Sequence, residues 1–333
     1  MSKNNLFIIA EVGVNHNGSI KIAKKLIEFS AKHKINAVKF QFFKSSKLST
    51  KSAKLAPYQK KNSSFSNQQE MLRKYELSLK NHIKLSEMCR SYKIEYMTSF
   101  FDVDDIMHHK ILRLKRIKIP SGEIGNVPYL EKVARINKPI LLSTGMANLK
   151  EIKFSLNILI NTNKNIKNKI TLMQCTSEYP SKESESNISV LNTFKKMGYK
   201  VGYSDHTKGY NSAIIALALG ANVIEKHLTM DNMMSGPDHS ASLSMKKFIT
   251  FKKKLENTMN ILGTLKKIPT YSELKNREYV IKKIVAKKEI TKGEILNYTN
   301  LTTKRSIGGI EANKWNKYIG KKSQKNYLKD ENI

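Results

Sequence analysis

The stretch VIEKHLTM (residues 223–230) begins with the apolar residues of a buried strand and then turns polar without a break. A carboxylate, an ammonium group and an imidazole follow its first two residues directly. Because side chains alternate between the two faces of a strand, Glu225 and His227 share one face. The stretch VGYSDHT (201–207) changes in the same way and carries His206 near its end. The sequence therefore predicts two strands that end in reactive side chains.

Eight short segments share this pattern of an apolar, β-rich run followed by polar residues, and helix-like stretches separate them. Eight alternations of strand and helix are typical of a (β/α)8 barrel, or TIM barrel, whose catalytic side chains occupy the carboxyl ends of the strands. The main alternative is a doubly wound open sheet. Such a sheet usually begins with a GxGxxG motif, and GVNHNG (13–18) lacks that spacing. We therefore expect an α/β fold of the barrel type.

The boundaries of the expected elements follow the apolar runs. The predicted strands span 6–13, 36–43, 94–100, 116–123, 139–145, 170–180, 200–206 and 222–229. The predicted helices span 19–34, 80–93, 103–114, 127–136, 148–160, 187–197, 211–220 and 245–262.

Two segments depart from the barrel pattern. Residues 44–79 form a long connection rich in Ser, Lys, Asn and Gln. A connection of this length is either a functional lid or a disordered segment, and its place after the second strand favours a segment that covers the barrel mouth. Residues 283–306 show short alternating strands and a Lys-Gly turn. We predict a barrel domain over 1–265, a linker over 266–282 and a small β-rich domain over 283–333.

Length and cysteine content limit the class of protein. A chain of 333 residues suits one large domain and a smaller one. Two cysteines do not make a disulfide framework, which fits a reducing compartment. The first apolar run is interrupted by Glu11 and is too short for a signal peptide, and no apolar stretch reaches the length of a membrane span. We expect a cytoplasmic protein without a membrane partner.

The formal net charge of +33 raises the alternative of a non-enzymatic barrel that binds nucleic acid or another polyanion. That alternative predicts strongly salt-dependent binding and tolerance of substitutions at His206 and His227. However, the lysines are spread over nearly the whole chain, for example along 21–34, and no zinc-finger or RRM motif is present. A positive field also speeds the capture of a small anionic substrate. We expect such a substrate and no nucleic-acid partner.

Two histidines, His206 and His227, stand at the ends of adjacent predicted strands. Imidazole binds Mn, Fe, Co, Ni and Zn, and two protein nitrogens would leave positions open for substrate and water. One alternative is that one histidine is a general base and the other has no catalytic role. The other alternative is that both are hydrogen-bonded core residues. The carboxylates Glu11 and Glu123, at the ends of strands 1 and 4, are candidates for a general base or for positioning a hydroxyl.

Two lysines, Lys39 and Lys118, lie inside predicted strands. Because burial of an unpaired ammonium group is costly, a partner anion is expected beside them. Serine hydroxyls at other strand ends would complete the hydrogen bonds of a bound phosphate. These serines are Ser121, Ser143, Ser177 and Ser204.

The combined motifs closely resemble the sialic acid synthase family, which comprises N-acetylneuraminate synthases and their legionaminate and pseudaminate relatives. The tail 285–305 resembles the C-terminal antifreeze-like (SAF) domain of that family, a β-clip fold. The resemblance implies a TIM barrel followed by a SAF domain. The motifs are IIAEVGVNHNG (8–18), AVKFQFF (37–43), KIPSGE (118–123), LLSTGM (141–146), QCTSEYP (174–180), GYSDHT (202–207), IEKHLTMD (224–231) and SGPDHSAS (235–242).

The resemblance implies condensation of phosphoenolpyruvate with an N-acetylmannosamine-type sugar, giving a nine-carbon 2-keto sugar acid and phosphate. We expect an N-acetylneuraminate synthase, with a legionaminic or pseudaminic acid synthase acting on a 2,4-diacetamido-2,4,6-trideoxyhexose as the alternative. CTSEYP (175–180) and APYQKKN (56–62) favour the neuraminate and legionaminate branches over the pseudaminate branch. A synthase of 3-deoxy-sugar-acid phosphates is a further alternative, and the SAF-like tail argues against it.

The resemblance also implies roles for individual residues. A divalent metal, with Mn²⁺ expected before Mg²⁺ or Co²⁺, would be held by His206 and His227. Glu11 and Glu123 would handle protons and water. Phosphoenolpyruvate would be held by Lys39, Lys118, Ser121, Ser143, Ser177 and Ser204, and the sugar by Gln41, Tyr179, Asp238 and Arg305. Because the family arginine reaches its sugar from the partner subunit, Arg305 implies a domain-swapped homodimer.

Three stretches differ from the family pattern. Gln174 stands where the family commonly has His. SFF (99–101) replaces TPF, and SIGG (306–309) replaces Pro-Gly-x-Gly after the arginine.

Overall fold

Eight parallel strands close into a barrel in the computed structural model, which describes residues 6–57, 59 and 65–333. Each strand pairs with the next, and the eighth pairs with the first. This is the predicted (β/α)8 architecture, and all eight expected strands are present. They are β1 (Phe7–Gly13), β2 (Ala37–Phe42), β3 (Glu95–Phe100), β4 (Ile117–Ile119), β5 (Ile140–Ser143), β6 (Ile170–Cys175), β7 (Lys200–Asp205) and β8 (Val223–Thr229). A two-residue strand, β9 (Leu243–Ser244), pairs with β8.

Helices occupy most of the connections, and several of them begin at residues whose side chains bind free backbone N–H groups. Ser19 accepts a hydrogen bond from the backbone of Ile22, and Asn148 and Glu151 form a capping box. The described helices are α1 (Ile20–Lys32), α2 (Ser45–Leu48), α3 (Gln68–Tyr75), α4 (Leu79–Ser91), α5 (Val127–Ile136), α6 (Leu149–Thr162), α7 (Val190–Lys196), α8 (Asn211–Ala218), α9 (Met245–Leu262) and α10 (Tyr271–Val280).

The predicted helix over 103–114 is wrong. The connection contains a 3-10 helix at Asp105–His109 instead. The His109 Nδ1 lies 2.9 Å from the Ile106 carbonyl oxygen, which would otherwise accept the α-helical hydrogen bond of Lys110. The Lys110 N–H faces the carbonyl of Met107 at 3.5 Å instead. A side chain that takes a backbone acceptor in this way competes with the α-helix.

Two predicted strands are shorter than expected. The segment 116–123 is a strand only over Ile117–Ile119, because Pro120 has no N–H for the ladder and a 3-10 turn follows it. The segment 170–180 is a strand only as far as Cys175. Both strands therefore end earlier, and the polar residues beyond them belong to loops.

The inside of the barrel is apolar at one level and polar at the next. A small buried cluster is made of one apolar residue from each of six strands. Two positions further along each strand stands a more polar residue, and the strand period of two places it on the same face. The apolar layer contains Ile9, Ala37, Met97, Leu141, Met173 and Val223, and the layer above it contains Glu11, Lys39, Ser99, Ser143, Cys175 and Glu225 in the same order.

The chain divides into two compact units, Met1–Gly263 and Thr264–Ile333. In the second unit, β10 (Lys282–Ala286) pairs antiparallel with β11 (Leu301–Arg305). The segment expected to be a linker, 266–282, contains α10, which begins with a capping box of Thr270 and Glu273. In SIGG (306–309) both glycines have φ of +72°, a left-handed conformation that disfavours other residues.

Both cysteines are buried and free. Among the helices in the described part of the chain, none has the length and apolarity needed to span a membrane.

Three histidines, His16, His82 and His239, are fully buried outside the polar layer. Burial lowers the pKa of His82 to about 3 and the pKa of His16 and of His239 to about 4. The Nδ1 of His82 lies 2.6 Å from the hydroxyl of Tyr96. These imidazoles are therefore uncharged in the folded protein at neutral pH.

We expect the free energy of unfolding to fall as the pH drops below about 6.5, because unfolded histidines then bind protons that the folded ones exclude. His82 should contribute a slope of about 1.4 kcal/mol per pH unit between its unfolded pKa, about 6.5, and its folded pKa, about 3. His82→Asn keeps a hydrogen-bonding partner for Tyr96 and should remove that part of the slope. The measurement is urea unfolding between pH 7 and pH 4.5.

A matched control is Leu85→Ala, a non-titrating change on the same helix at a fully buried site. It should lower stability at every pH without altering the slope. Equal slopes for the wild type and for His82→Asn would contradict the assignment.

Candidate active site

A cavity of about 880 Å³ opens at the carboxyl ends of the barrel strands. All of the predicted site residues except Asp238 and Arg305 line it. The predicted residues in its lining are Glu11, Lys39, Gln41, Lys118, Ser121, Glu123, Ser143, Ser177, Tyr179, Ser204, His206 and His227.

Two ammonium groups and two carboxylates meet at the base of this cavity. The Nζ of Lys39 lies 2.9 Å from Oε2 of Glu11 and 3.6 Å from Oε2 of Glu225. The Nζ of Lys118 lies 3.4 Å from Oε1 of Glu225 and donates a hydrogen bond to Ser143 at 2.7 Å. All of these side chains are buried. Glu225 therefore bridges the two lysines.

The two carboxylates differ in their protonation. Burial alone would raise the pKa of Glu225, but the ammonium groups of Lys118 and Lys39 lower it to about 2. Burial raises the pKa of Glu11 to about 8, because desolvation outweighs the attraction of Lys39. Burial also lowers the pKa of Lys118, and an approaching anion would raise it again. With both lysines charged and Glu11 neutral, the cluster holds two ammonium groups and one carboxylate. A bound anion would balance the remaining positive charge.

Hydroxyl groups converge around Gly145 beside this cluster. The Gly145 N–H donates to Oγ of Ser121 at 3.0 Å, and Oγ of Ser121 lies 3.3 Å from Sγ of Cys175. A Cβ added to Gly145 would stand only 2.2 Å from Oγ of Ser177 and 3.0 Å from Oγ of Ser121. Only glycine therefore lets these side chains approach the backbone as they do. Together with Lys118 and Ser143 these groups could donate hydrogen bonds to an oxyanion, and they are called the cradle below.

The two predicted metal ligands stand side by side. The ring centroids of His206 and His227 are 5.5 Å apart. The Nδ1 of His206 donates to the Thr176 carbonyl at 2.6 Å, which leaves Nε2, 3.4 Å from Oγ of Ser204, as the nitrogen with the lone pair. Burial lowers the pKa of His206 to about 4 and the pKa of His227 well below its usual value. Both rings are therefore neutral, the form in which imidazole binds metals.

The donor set fits a divalent metal bound by two protein nitrogens. The Nδ1 of His227 is buried without a hydrogen-bond partner, as expected of an atom kept for another ligand. Across the described ranges, no group of three or more His, Cys, Asp and Glu side chains is arranged to hold a metal ion. The two imidazoles would thus leave the other coordination positions to substrate and water.

Several predicted residues surround the histidines without joining the lysine cluster. The ring of Tyr179 packs 4.2 Å from that of His206. Asp238 is buried behind His227, with Oδ2 at 3.9 Å from the Nδ1 of that ring, and burial raises the pKa of Asp238 to about 6.

Arg305 is exposed at the end of β11 in the second unit. Gln174 donates to the Ser186 carbonyl, so this departure from the family pattern serves a local hydrogen bond.

The covering segment, residues 44–79, lines one side of the cavity, in agreement with the lid expected from its length. Lys47 pairs with Asp102 at 3.0 Å and ties the segment to the loop after β3, and within the segment the Ser45 N–H donates to Glu76. Residues 58 and 60–64, and with them most of APYQKKN (56–62), lie outside the described residues. The segment contributes Lys47, Leu48, Ala56, Pro57, Gln59, Gln68 and Leu72 to the lining.

Two residues of the site, Glu225 and Gly145, were not predicted. Glu225 shares a strand face with His227, so the alternation of β8 indicates that it faces the barrel interior. Nothing in the sequence around it shows that it bridges two lysines from distant strands. Gly145 lies in the motif LLSTGM (141–146), but its role depends on side chains contributed by two other loops.

The chain is similar to known proteins over most of its length. The chain matches the model of the NeuB family over residues 26–267. It is 45% identical over 328 residues to the N,N'-diacetyllegionaminic acid synthase of Campylobacter jejuni, covering 98% of each chain. It is 38% identical to the protein of the same name from Legionella pneumophila, covering 96% of this chain and 91% of that one.

A solved structure is also similar. The N-acetylneuraminic acid (sialic acid) synthetase of Leptospira borgpetersenii, in complex with citrate, superimposes with a TM-score of 0.72 at 31% identity. The match covers 83% of this chain and 92% of that one. The closed parallel barrel, the polar strand ends and these similarities lead to one conclusion: the chain belongs to the NeuB family of sialic-acid-type synthases.

Proposed function

We propose that this protein is an N,N'-diacetyllegionaminic acid synthase, which condenses phosphoenolpyruvate with a 2,4-diacetamido-2,4,6-trideoxyhexose. Two relatives with that name, at 45% and 38% identity over nearly the whole chain, support this sugar. They favour it over N-acetylmannosamine, the sugar first expected from the sequence. The product would be a nine-carbon 2-keto sugar acid, released together with phosphate.

The observation that supports phosphoenolpyruvate most directly is the pair of buried lysines, Lys39 and Lys118, around the single low-pKa carboxylate of Glu225. A buried cluster with surplus ammonium groups is stabilised by an anion. Phosphoenolpyruvate carries both a phosphate and a carboxylate. The hydroxyls of Ser121, Ser143 and Ser177 stand beside these lysines as hydrogen-bond donors for its oxygens.

We propose the following sequence of bond changes. The C3 atom of phosphoenolpyruvate, held by the lysines, forms a bond to the aldehyde carbon of the open-chain sugar, and the aldehyde oxygen takes a proton. Water adds to C2 and loses a proton. The C2–O bond to phosphate then breaks, the C2 hydroxyl passes its remaining proton to the departing phosphate, and a keto group is left at C2. Glu11, neutral at pH 7 because its pKa is about 8, is suited to supply the first proton.

Glu123 lines the same cavity and is the second candidate for proton transfer. Burial raises the pKa of Glu123, and the side-chain amide of Asn126 donates to its Oε2 at 2.5 Å. We propose that it receives the proton of the attacking water. A divalent metal at His206 and His227, with Mn²⁺ as the expected ion, would supply Lewis-acid polarisation of the aldehyde.

The side of the cavity formed by the covering segment supports a 6-deoxy sugar. Leu48, Leu72 and Phe101 line it, and they belong to or pack against a small hydrophobic cluster. A methyl group at C6 of the sugar would be buried favourably there. A C6 hydroxyl, as in N-acetylmannosamine, would gain no hydrogen bond from these three apolar side chains.

We also propose that Arg305 contacts the sugar from a second subunit of a homodimer, as the resemblance to the family implies. Its exposure at the end of β11 is compatible with a role toward another chain.

We expect metal-stripped protein to release phosphate from phosphoenolpyruvate only when Mn²⁺ and the diacetamido sugar are both added. The reason is that bond formation at C3 requires a polarised aldehyde. The measurement is phosphate release with each sugar in parallel, and His227→Ala should reduce it at least 100-fold, on the order of the loss caused by removing one catalytic electrostatic group. Faster turnover with N-acetylmannosamine would contradict the proposed sugar. Release by His227→Ala at the wild-type rate would contradict the metal role.

We expect Gly145→Ala to raise the KM for phosphoenolpyruvate by about tenfold or more, because the added methyl group would displace Ser177 and Ser121 from the cradle. Steady-state kinetics at saturating sugar would measure it. Gly122→Ala is the comparison variant, since it adds a methyl group to the same cavity without meeting a protein atom within 4 Å. An unchanged KM for Gly145→Ala would show that phosphoenolpyruvate binds elsewhere in the cavity.

We expect Leu48→Asn to lower the preference for the diacetamido sugar over N-acetylmannosamine by about tenfold, the size of effect that one apolar contact has on specificity. Leu48 is only partly buried, so the fold should tolerate the change. The ratio of kcat/KM values for the two sugars is the readout. An unchanged ratio would mean that the C6 end of the sugar binds away from Leu48, at another side of the cavity.

A further inference from the structure

A second buried ion pair lies directly behind the two histidines. The Nζ of Lys226 is 2.8 Å from Oδ2 of Asp205, and neither side chain is exposed to solvent. Because side chains alternate along β7 and β8, this pair faces away from the cavity that holds His206 and His227. No step of the proposed reaction uses it.

Both members of the pair form hydrogen bonds with Thr207, the residue that follows His206. The Oδ1 of Asp205 accepts hydrogen bonds from the backbone N–H of Thr207 at 2.9 Å and from its hydroxyl at 2.8 Å. The Nζ of Lys226 donates to the carbonyl oxygen of Thr207. The residues on both sides of His206 are therefore fixed, and so is the residue that precedes His227.

The pair also joins the two strands at one level. Asp205 and Lys226 are register partners in the ladder between β7 and β8. Each is the residue immediately before one of the two histidines. A change in their contact would therefore shift both imidazoles relative to each other.

Global stability does not account for a pair of this kind. Two charges removed completely from water regain little more than their desolvation cost, and a hydrophobic pair of similar volume is often as stable or more stable. A buried charge pair does restrict geometry, because alternative arrangements leave a charge without a partner. The geometry restricted here is the separation of two metal-binding rings.

We propose that Asp205 and Lys226 are positioning residues that hold His206 and His227 at the separation needed to bind one divalent cation. The proposal rests on the metal role given to the histidines above. Residues that orient metal ligands typically change metal affinity by about 10- to 100-fold when replaced. The neutral double variant D205N/K226M tests it, since it keeps similar shapes and leaves no unpaired buried charge.

The readouts are the Kd for Mn²⁺, from electron paramagnetic resonance of the purified protein titrated with MnCl₂, and the midpoint of thermal unfolding. We expect each single variant, Asp205→Asn and Lys226→Met, to unfold at a lower temperature than the wild type. The double variant should regain much of that loss, yet bind Mn²⁺ at least tenfold more weakly. Its turnover should be restored in part by a tenfold higher Mn²⁺ concentration.

The ion pair of Arg116 and Glu95, which spans β3 and the start of β4 at the opposite end of the barrel, provides the matched control. The variant E95Q/R116M should leave the Kd for Mn²⁺ within twofold of the wild-type value. A Kd within twofold of wild type in D205N/K226M would overturn the positioning role while the proposed function stands. Failure of the wild-type protein to bind Mn²⁺, or a Kd unaffected by His227→Ala, would overturn both the metal role and the positioning role.

Discussion

The carboxylate of Glu225, shared by the ammonium groups of Lys39 and Lys118, is the contact on which the rest of the site depends. With both lysines charged, these three buried groups carry an excess of positive charge, and a bound anion would balance it. The hydroxyl groups around Gly145 lie beside this cluster, and burial raises the pKa of Glu11 within it. Without Glu225, two like charges would face each other in a medium of low dielectric.

The barrel makes this cluster possible because it separates two levels of its interior. The lower level is an apolar cluster of six residues, one from each of six strands. The upper level, two residues further along, carries the charged and hydroxyl side chains. The apolar level excludes water from below, so the groups above it are desolvated. That desolvation raises the pKa of Glu11 and lowers that of His206 and His227.

Much of the fold was predictable because its signals are local. All eight strands were identified from apolar runs, and α5 and α9 were predicted with their observed bounds. The helix expected over 103–114 was wrong because a side chain, His109, takes the carbonyl that the helix required. Composition and periodicity do not report on a contact of that kind. The short β4 follows from a local feature, Pro120, which the expectation overlooked.

The sequence by itself determined which side chains end the strands, because alternation along a strand assigns each residue to a face without reference to the rest of the chain. It therefore identified Lys39, Lys118, His206 and His227 as interior groups. Only the tertiary structure decided that the first two share Glu225 and that Asp205 and Lys226 lock together behind the histidines. Those contacts join residues up to 186 positions apart, from Lys39 to Glu225. Closure of the barrel and the stagger of its strands set such contacts, and no local pattern encodes either of them.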